Sequence, residues 1–210
     1  VSLSDEEFLA VLRLARERRI RDHVMIVVTY WHGLRASELV DLRESDFNLE
    51  VGEILIRRGK GSEGGWWALQ EHEEPLLNER ALVKDWLAHR HEYGEKGGAR
   101  KRQQSNQNVA FSPADPNQRV FPVHRCHFWK LVNRYARAAG LPARKCKTHA
   151  IKHTIAKHLI RAGVPVNDVM EWMGWTSLST PMWYMRADVE ELSDRIGRAI
   201  RSKGGFRPTA

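Results

Sequence analysis

His149 and Lys152 stand three positions apart in the stretch THAIKHTIAKHLIRAG, where Ile151, Ile155, Leu159 and Ile160 recur at helical spacing. Thr148 is a good N-cap and Gly163 a natural C-terminal stop, so both polar residues are expected in the first turn of one helix. That turn carries unpaired backbone N–H groups and the positive end of the helix dipole. A His and a Lys added to it make an anion site, and a phosphate is the obvious guest. The next segment, VPVNDVMEWMGWTSLSTPMWY, predicts a helix over Asn167 to Met173 that stops at Gly174 and leaves Trp175 just outside. Thr180 and Pro181 then read as the N-cap and first residue of a third helix, with Tyr184 in its first turns. The order is a basic pair, an indole donor and a phenol, which is a poor nucleophile at its usual pKa near ~10 until its attack is assisted.

Plainer readings stand beside these. A histidine on an amphipathic helix is more often structural than catalytic, and Tyr184 taken alone could be a half-buried core aromatic. His149, His153 and His158 also raise the question of a metal, since His149 and His153 lie four apart on one helix face. Against it, position 150 is not Glu, no Cys pair is present, and no second ligand cluster has zinc spacing.

Two earlier segments carry further chemistry. A largely apolar helix from about Arg21 to His32 ends at Gly33, and Arg35 follows at once, with Ala36 to Leu42 helical beyond it. Arg35 either pairs with Glu38 or Asp41 on the surface, or is held facing a cleft where its fork can grip two oxygens of a phosphodiester. EILIR and WWALQ are strand-like runs joined by the Gly-rich turn RGKGSEGG, which puts Lys60 near a hairpin tip. The spacing of its glycines does not fit a P-loop. The alternative for Lys60 is a solvated surface lysine.

The ordered set GLRASEL, RGKG, HAIKH, MGW and the downstream Tyr184 resembles the motif set of the tyrosine recombinases, or phage integrases. That family's pattern is an Arg in G-L-R-x-S-E-L, a Lys in a β-hairpin turn, H-x-x-R-H, G-H or G-W, and a nucleophilic Tyr nine residues later. Trp175 to Tyr184 has that spacing, and the five motifs cover nearly the whole chain.

The resemblance implies site-specific DNA strand exchange through a 3′-phosphotyrosine, with neither ATP nor metal nor any other cofactor. It makes Arg35 the first catalytic arginine with Glu38 orienting it, Lys60 the proton donor to the leaving 5′-oxygen, and Tyr184 the nucleophile. His149 and Trp175 become donors to the phosphate, and His153 a supporting residue. One position departs from the pattern: the family's second arginine falls on Lys152, and an ammonium is a point charge where a guanidinium is a bidentate clamp. The implied fold is the tyrosine recombinase catalytic-domain fold, mainly α with a small antiparallel β-sheet (α+β). It would span residues 1–202, including a C-terminal helix at about 188–201, with 203–210 a mobile tail. A helical core-binding domain, which the family usually places before the catalytic one, is expected to be absent from this chain.

Composition fits a polyanion partner. The 210 residues hold 34 Lys plus Arg against 26 Asp plus Glu, a net charge of +8. Two cysteines, Cys126 and Cys146, are too few for a disulfide framework and read as free thiols of a reducing cytoplasm. No apolar run approaches a membrane span, so a cytoplasmic, DNA-associated protein is expected. The remaining elements look structural. Ser4 and Glu7 form a capping box ahead of the stripe Phe8, Val11, Leu12 and Ala15. A helix from Glu79 to His91 places Ala81, Leu82, Trp86 and Leu87 on one side, and Glu92 to Asn108 reads as a long exposed loop whose run Ala99 to Arg102 either touches DNA or is simply solvated. A helix from about His124 to Ala139 turns Phe128, Leu131, Val132 and Tyr135 inward and Arg125, Lys130, Arg134 and Arg137 outward, a stripe that could follow a DNA groove. Arg57 and Arg58, beside the hairpin, are further candidates for DNA contact.

The partners so implied are a double-stranded recombination site and other protomers of a tetrameric synapse, joined through the C-terminal helix unless it folds back on its own domain. Two alternatives remain. One is a DNA-relaxing enzyme like a type IB topoisomerase, which shares this catalytic set; the other is a relic impaired at Lys152 that binds DNA without cutting it.

Overall fold

The computed structural model describes residues 2–59, 64–95, 117–177 and 197–198. Lys60, Tyr184, the run Ala99 to Arg102 and, apart from Gly197 and Arg198, the predicted C-terminal helix lie outside the described residues.

Helix α1, Asp5–Arg18, starts at the expected capping box: Glu7 N–H donates to Ser4 Oγ at 3.2 Å, and Ser4 N–H to a Glu7 carboxylate oxygen at 2.8 Å. Its stripe Phe8, Val11, Leu12 and Ala15 is buried. Arg19, in extended conformation, separates it from α2, Ile20–Trp31. Every residue of α2 from Asp22 to Tyr30 is buried, and helices α1, α3 (Ala36–Val40), α4 (Glu79–Glu95) and α6 (Thr148–Arg161) all pack against it. A helix apolar on most faces is stable only when enclosed. Its few polar side chains have partners within the protein: Asp22 accepts from Tyr135 Oη at 2.8 Å, His23 Nε2 meets Leu76 O at 2.9 Å, and Thr29 Oγ1 donates to Met25 O at 2.7 Å.

Strands β1 (Phe47–Asn48), β2 (Glu53–Ile56) and β3 (Gly65–Ala68) form one antiparallel sheet in that order. Ile54 faces Phe47 on one side and Trp67 on the other, and Ile54 and Ile56 turn into the core. Helix α5, Arg125–Ala138, buries Phe128, Leu131, Val132 and Tyr135 as predicted. Helix α7, Val166–Met173, closes the described order and packs on α6. Among the described residues no helix is long and apolar enough to cross a membrane.

Several expectations need correcting. Thr148 is the first residue of α6 and not its cap; the cap position is Lys147, with no side-chain cap bond. Helix α3 stops at Val40, two residues short of the prediction. Ala81 is exposed and Val83 takes its place on the buried face of α4, beside Leu82, Trp86 and Leu87, which are buried as expected. Helix α4 also runs to Glu95, into the stretch read as loop. Strand β1 has two residues, too few to show a period of two.

Candidate active site

Four chain segments build the site, the fourth being the end of β2, and each is fixed by a feature of its own. The first is the turn after α2. Gly33 takes a positive φ of 54°, and a Cβ there would come within 2.6 Å of Met173 Sδ and Cε, so this turn and the end of α7 are pressed together. Arg35, in extended conformation, precedes α3. Its backbone N–H donates to Glu38 Oε2 at 2.8 Å and its guanidinium to Glu38 Oε1 at 2.7 Å. Burial works against ionisation of Glu38, but the Arg35 hydrogen bonds and the Arg58 and Arg35 charges outweigh it and hold the carboxyl below its ordinary pKa. Glu38 is therefore an anion that caps α3 and orients Arg35. The Arg35 side chain remains 38% exposed, with guanidinium edge to offer a ligand.

The second segment is the start of α6. His149 is exposed, and Lys152, one turn on, is buried. Lys152 Nζ donates to Met173 O at 2.9 Å. Burial first, then the positive charges of Arg58 and Arg35, push its pKa down to about 7, against which Glu38 pulls upward. An ammonium so placed exchanges its proton near neutrality. His153 is half-buried with its ring centroid 6.3 Å from that of His149, and burial pushes its pKa down to about 4, so its ring is neutral.

The third segment is the end of α7. Gly174 adopts the left-handed conformation that stops helices, with φ 61°, and its N–H donates to Glu171 O. Trp175, half-buried, follows directly, its own N–H bonded to Met170 O at 2.8 Å. Trp172 is anchored by a 2.6 Å bond from its indole to Trp31 O, by stacking on His32 and by an edge contact with Trp67 of β3. His32 in turn pairs with Glu79 at 2.9 Å, both side chains fully enclosed.

Arg58 corrects an expectation. It is not available as a DNA contact: its side chain is 1% exposed, and its guanidinium donates to Glu38 Oε2 at 3.2 Å, His32 O at 2.7 Å and Trp172 O at 2.6 Å. The paired arginines at the end of β2 split by the alternation of a strand. Arg57 points out, 58% exposed, and pairs with the buried Asp46 at 2.6 Å, while Arg58 points in. That alternation was the available signal for Arg58; the turn composition beside it masked the signal.

Arg35, Glu38, Arg58, Lys152 and the Met173–Trp175 turn are thus gathered at one place. Arg125, Lys130 and Arg134 are exposed on α5 and take no part in these bonds. No group of three or more His, Cys, Asp or Glu side chains among the described residues is placed to hold a metal ion. Chemically, the gathered cations can receive an anion with localised charge.

The phage integrase family description matches residues 2–191. A tyrosine recombinase XerA of Pyrococcus furiosus is 28% identical over 198 residues, 94% of this chain and 61% of that protein. A crystal structure of a XerA recombinase superposes with a TM-score of 0.68 at 20% identity, covering 100% of this chain and 66% of the other. The XerH site-specific recombinase bound to its difH substrate, in a pre-cleavage complex, gives 0.62 at 24% identity over 91% of this chain and 51% of the other. The chain therefore spans about half to two thirds of the length of these relatives, and it shares their fold. With nearly all of its residues accounted for by one family description, this chain belongs to the phage integrase family.

Proposed function

We propose that this chain is the DNA-breaking and rejoining domain of a site-specific recombinase that works through a 3′-phosphotyrosine. The observation that carries the proposal is the convergence of Arg35 and Arg58 on the Glu38 carboxylate, with Lys152 within reach of their charges and bonded to Met173 O at the turn that precedes Trp175, in a member of the phage integrase family. In the proposed reaction the Tyr184 oxygen attacks phosphorus; a P–O bond to tyrosine forms as the bond to the 5′-oxygen breaks. His149 accepts the tyrosine proton, and Lys60 supplies one to the departing 5′-oxygen. Arg35, Lys152, His149 and Trp175 donate to the non-bridging oxygens, where charge grows in the transition state. The negative phosphate returns Lys152 to its ammonium form. A 5′-hydroxyl from a second strand reverses the chemistry and rejoins the DNA. The phosphodiester energy is kept in the protein link, so no ATP is consumed.

The partners in this reading are a double-stranded recombination site, as XerH has in difH, and other protomers in a tetrameric synapse, with the 188–201 helix reaching across. Residues 1–202 act as the catalytic domain, and a core-binding domain completes the clamp. The protein would act in the cytoplasm, DNA-associated, in the service of an integrating or excising element.

A second reading has one observation in its favour. Lys152 is already engaged with Met173 O and sheds its proton near neutrality, as befits a relic that binds DNA without cutting it. Covalent capture on a nicked suicide duplex separates the two. The recombinase gives a denaturant-resistant protein–DNA band that vanishes in Tyr184→Phe and weakens strongly in Lys152→Ala. A full-length protein that binds its duplex and gives no band is the relic.

A further inference from the structure

Arg58 enters the site from the end of β2 and touches three segments at once: Glu38 of α3, His32 O at the end of α2 and Trp172 O in the last turn of α7. Two of these acceptors are carbonyls at helix C-termini, which lack intrahelical partners and sit at the negative end of a dipole. Lys152 takes the adjoining carbonyl, Met173 O. One helix end is thus held by two cations on neighbouring rungs. The Gly174 turn closes directly over Arg58, since a Cβ at Gly174 would lie 2.9 Å from Arg58 Cδ and Nε. The charged groups bearing on Lys152 are Arg58, Arg35 and Glu38, so three cations share one carboxylate.

We propose that Arg58 is a positioning residue for the phosphate site and that it is matched to a lysine, not an arginine, at position 152. The proposal rests on the recombinase reading above. Arg58 sets where Glu38, and through it Arg35, points, and it fixes the turn that presents Trp175. A guanidinium keeps its charge under all ordinary conditions, whereas a crowded ammonium gives up its proton. Two guanidinium groups on adjoining carbonyls would hold a permanent repulsion that lysine relieves in the empty site. The depressed pKa of Lys152, traced to burial and then to Arg58, accords with this.

The test uses four full-length proteins: wild type, Arg58→Met, Lys152→Arg and the double variant. Each is assayed for single-turnover adduct formation on the nicked duplex, for duplex affinity and for its urea unfolding midpoint. Arg58→Met is expected to slow adduct formation about 100-fold while duplex affinity stays within about threefold, the signature of displaced donors. Lys152→Arg is expected to bring no gain when Arg58 is present, and about tenfold or more in the Arg58→Met background, a coupling of the size neighbouring residues show. The same factor in both backgrounds, or an unchanged rate in Arg58→Met, overturns the proposal. Should Arg58→Met not fold, Arg58→Lys serves as the second background with the same expectation, because a lysine there can also lose its proton. If wild type binds the duplex and forms no adduct, the recombinase reading falls, and the unfolding midpoints judge the match by themselves: non-additive shifts support it, and additive shifts overturn it.

Discussion

Arg58 and Lys152 are buried and bonded to adjoining carbonyls at the end of α7, while Arg125, Lys130, Arg134 and Arg137 stand exposed along the outer face of α5. Both groups are basic, and the sequence offers both to a polyanion. What separates them is what fixes their positions. A buried cation persists only with hydrogen-bonded partners, so its place is set by those partners. An exposed one keeps its rotamer freedom, and salt screens it. The inner group can therefore orient charge on a single phosphate, and the outer group can add attraction along a backbone without choosing a bond.

The largest effect that can break this comparison belongs to Arg35, whose guanidinium is aimed by Glu38. Arg35→Ala is expected to lower single-turnover cleavage by about 100- to 1,000-fold, as loss of a preorganised oxyanion donor does. Replacing the four α5 cations together should leave that rate within a few-fold at saturating protein. Equal losses of rate from both changes would erase the distinction.

Two glycines sharpen it next. Gly174 and Gly163 both have positive φ, 61° and 83°, but a Cβ meets Arg58 at the first and nothing within 4 Å at the second. Gly163→Ala should carry backbone strain alone, about 1–3 kcal/mol in urea unfolding. Gly174→Ala should lose more than that, and it should also slow cleavage because Arg58 must shift.

A pH measurement follows. Free Lys152 loses its proton near pH 7, and a bound phosphate would raise that pKa, so duplex binding takes up a proton. Affinity should therefore weaken by about tenfold as pH rises from 6.5 to 8.5, and Lys152→Met should flatten the profile. Titrations of duplex affinity at three pH values check it. The smallest effect is on the outer group: Arg134→Gln should reduce the log–log salt slope by about 0.9 and change affinity only a few-fold.

These contrasts also show what the sequence could and could not reveal. Helical periodicity and glycine stops placed α1, α2, α5, α6 and α7 within a residue or two, because each buries one clear stripe or, for α2, nearly all its faces. Arg35 was legible as a candidate because it follows the Gly33 stop, and Lys152 because it shares the first turn of one helix with His149. The Glu38 partner of Arg35, only three residues on, was expected and is found. That Arg58 joins the same carboxylate, or that Lys152 reaches Met173 O, was not legible, because it depends on segments far apart in the chain meeting around α2. Arg58 was misjudged for the same reason. An Arg-Arg pair at a strand end looks solvated until the carbonyls of His32 and Trp172 are seen waiting for one of the two.

The most direct measurement of the central claim is to identify the protein atom that becomes joined to DNA. Full-length protein is reacted with a nicked suicide duplex, digested with protease and nuclease, and the nucleotide-bearing peptide is sequenced by mass spectrometry. The account predicts a single 3′-phosphonucleotide on the peptide containing Tyr184, attached to its phenolic oxygen. An adduct on another residue, attachment through a 5′-phosphate, or tight duplex binding with no adduct would contradict it.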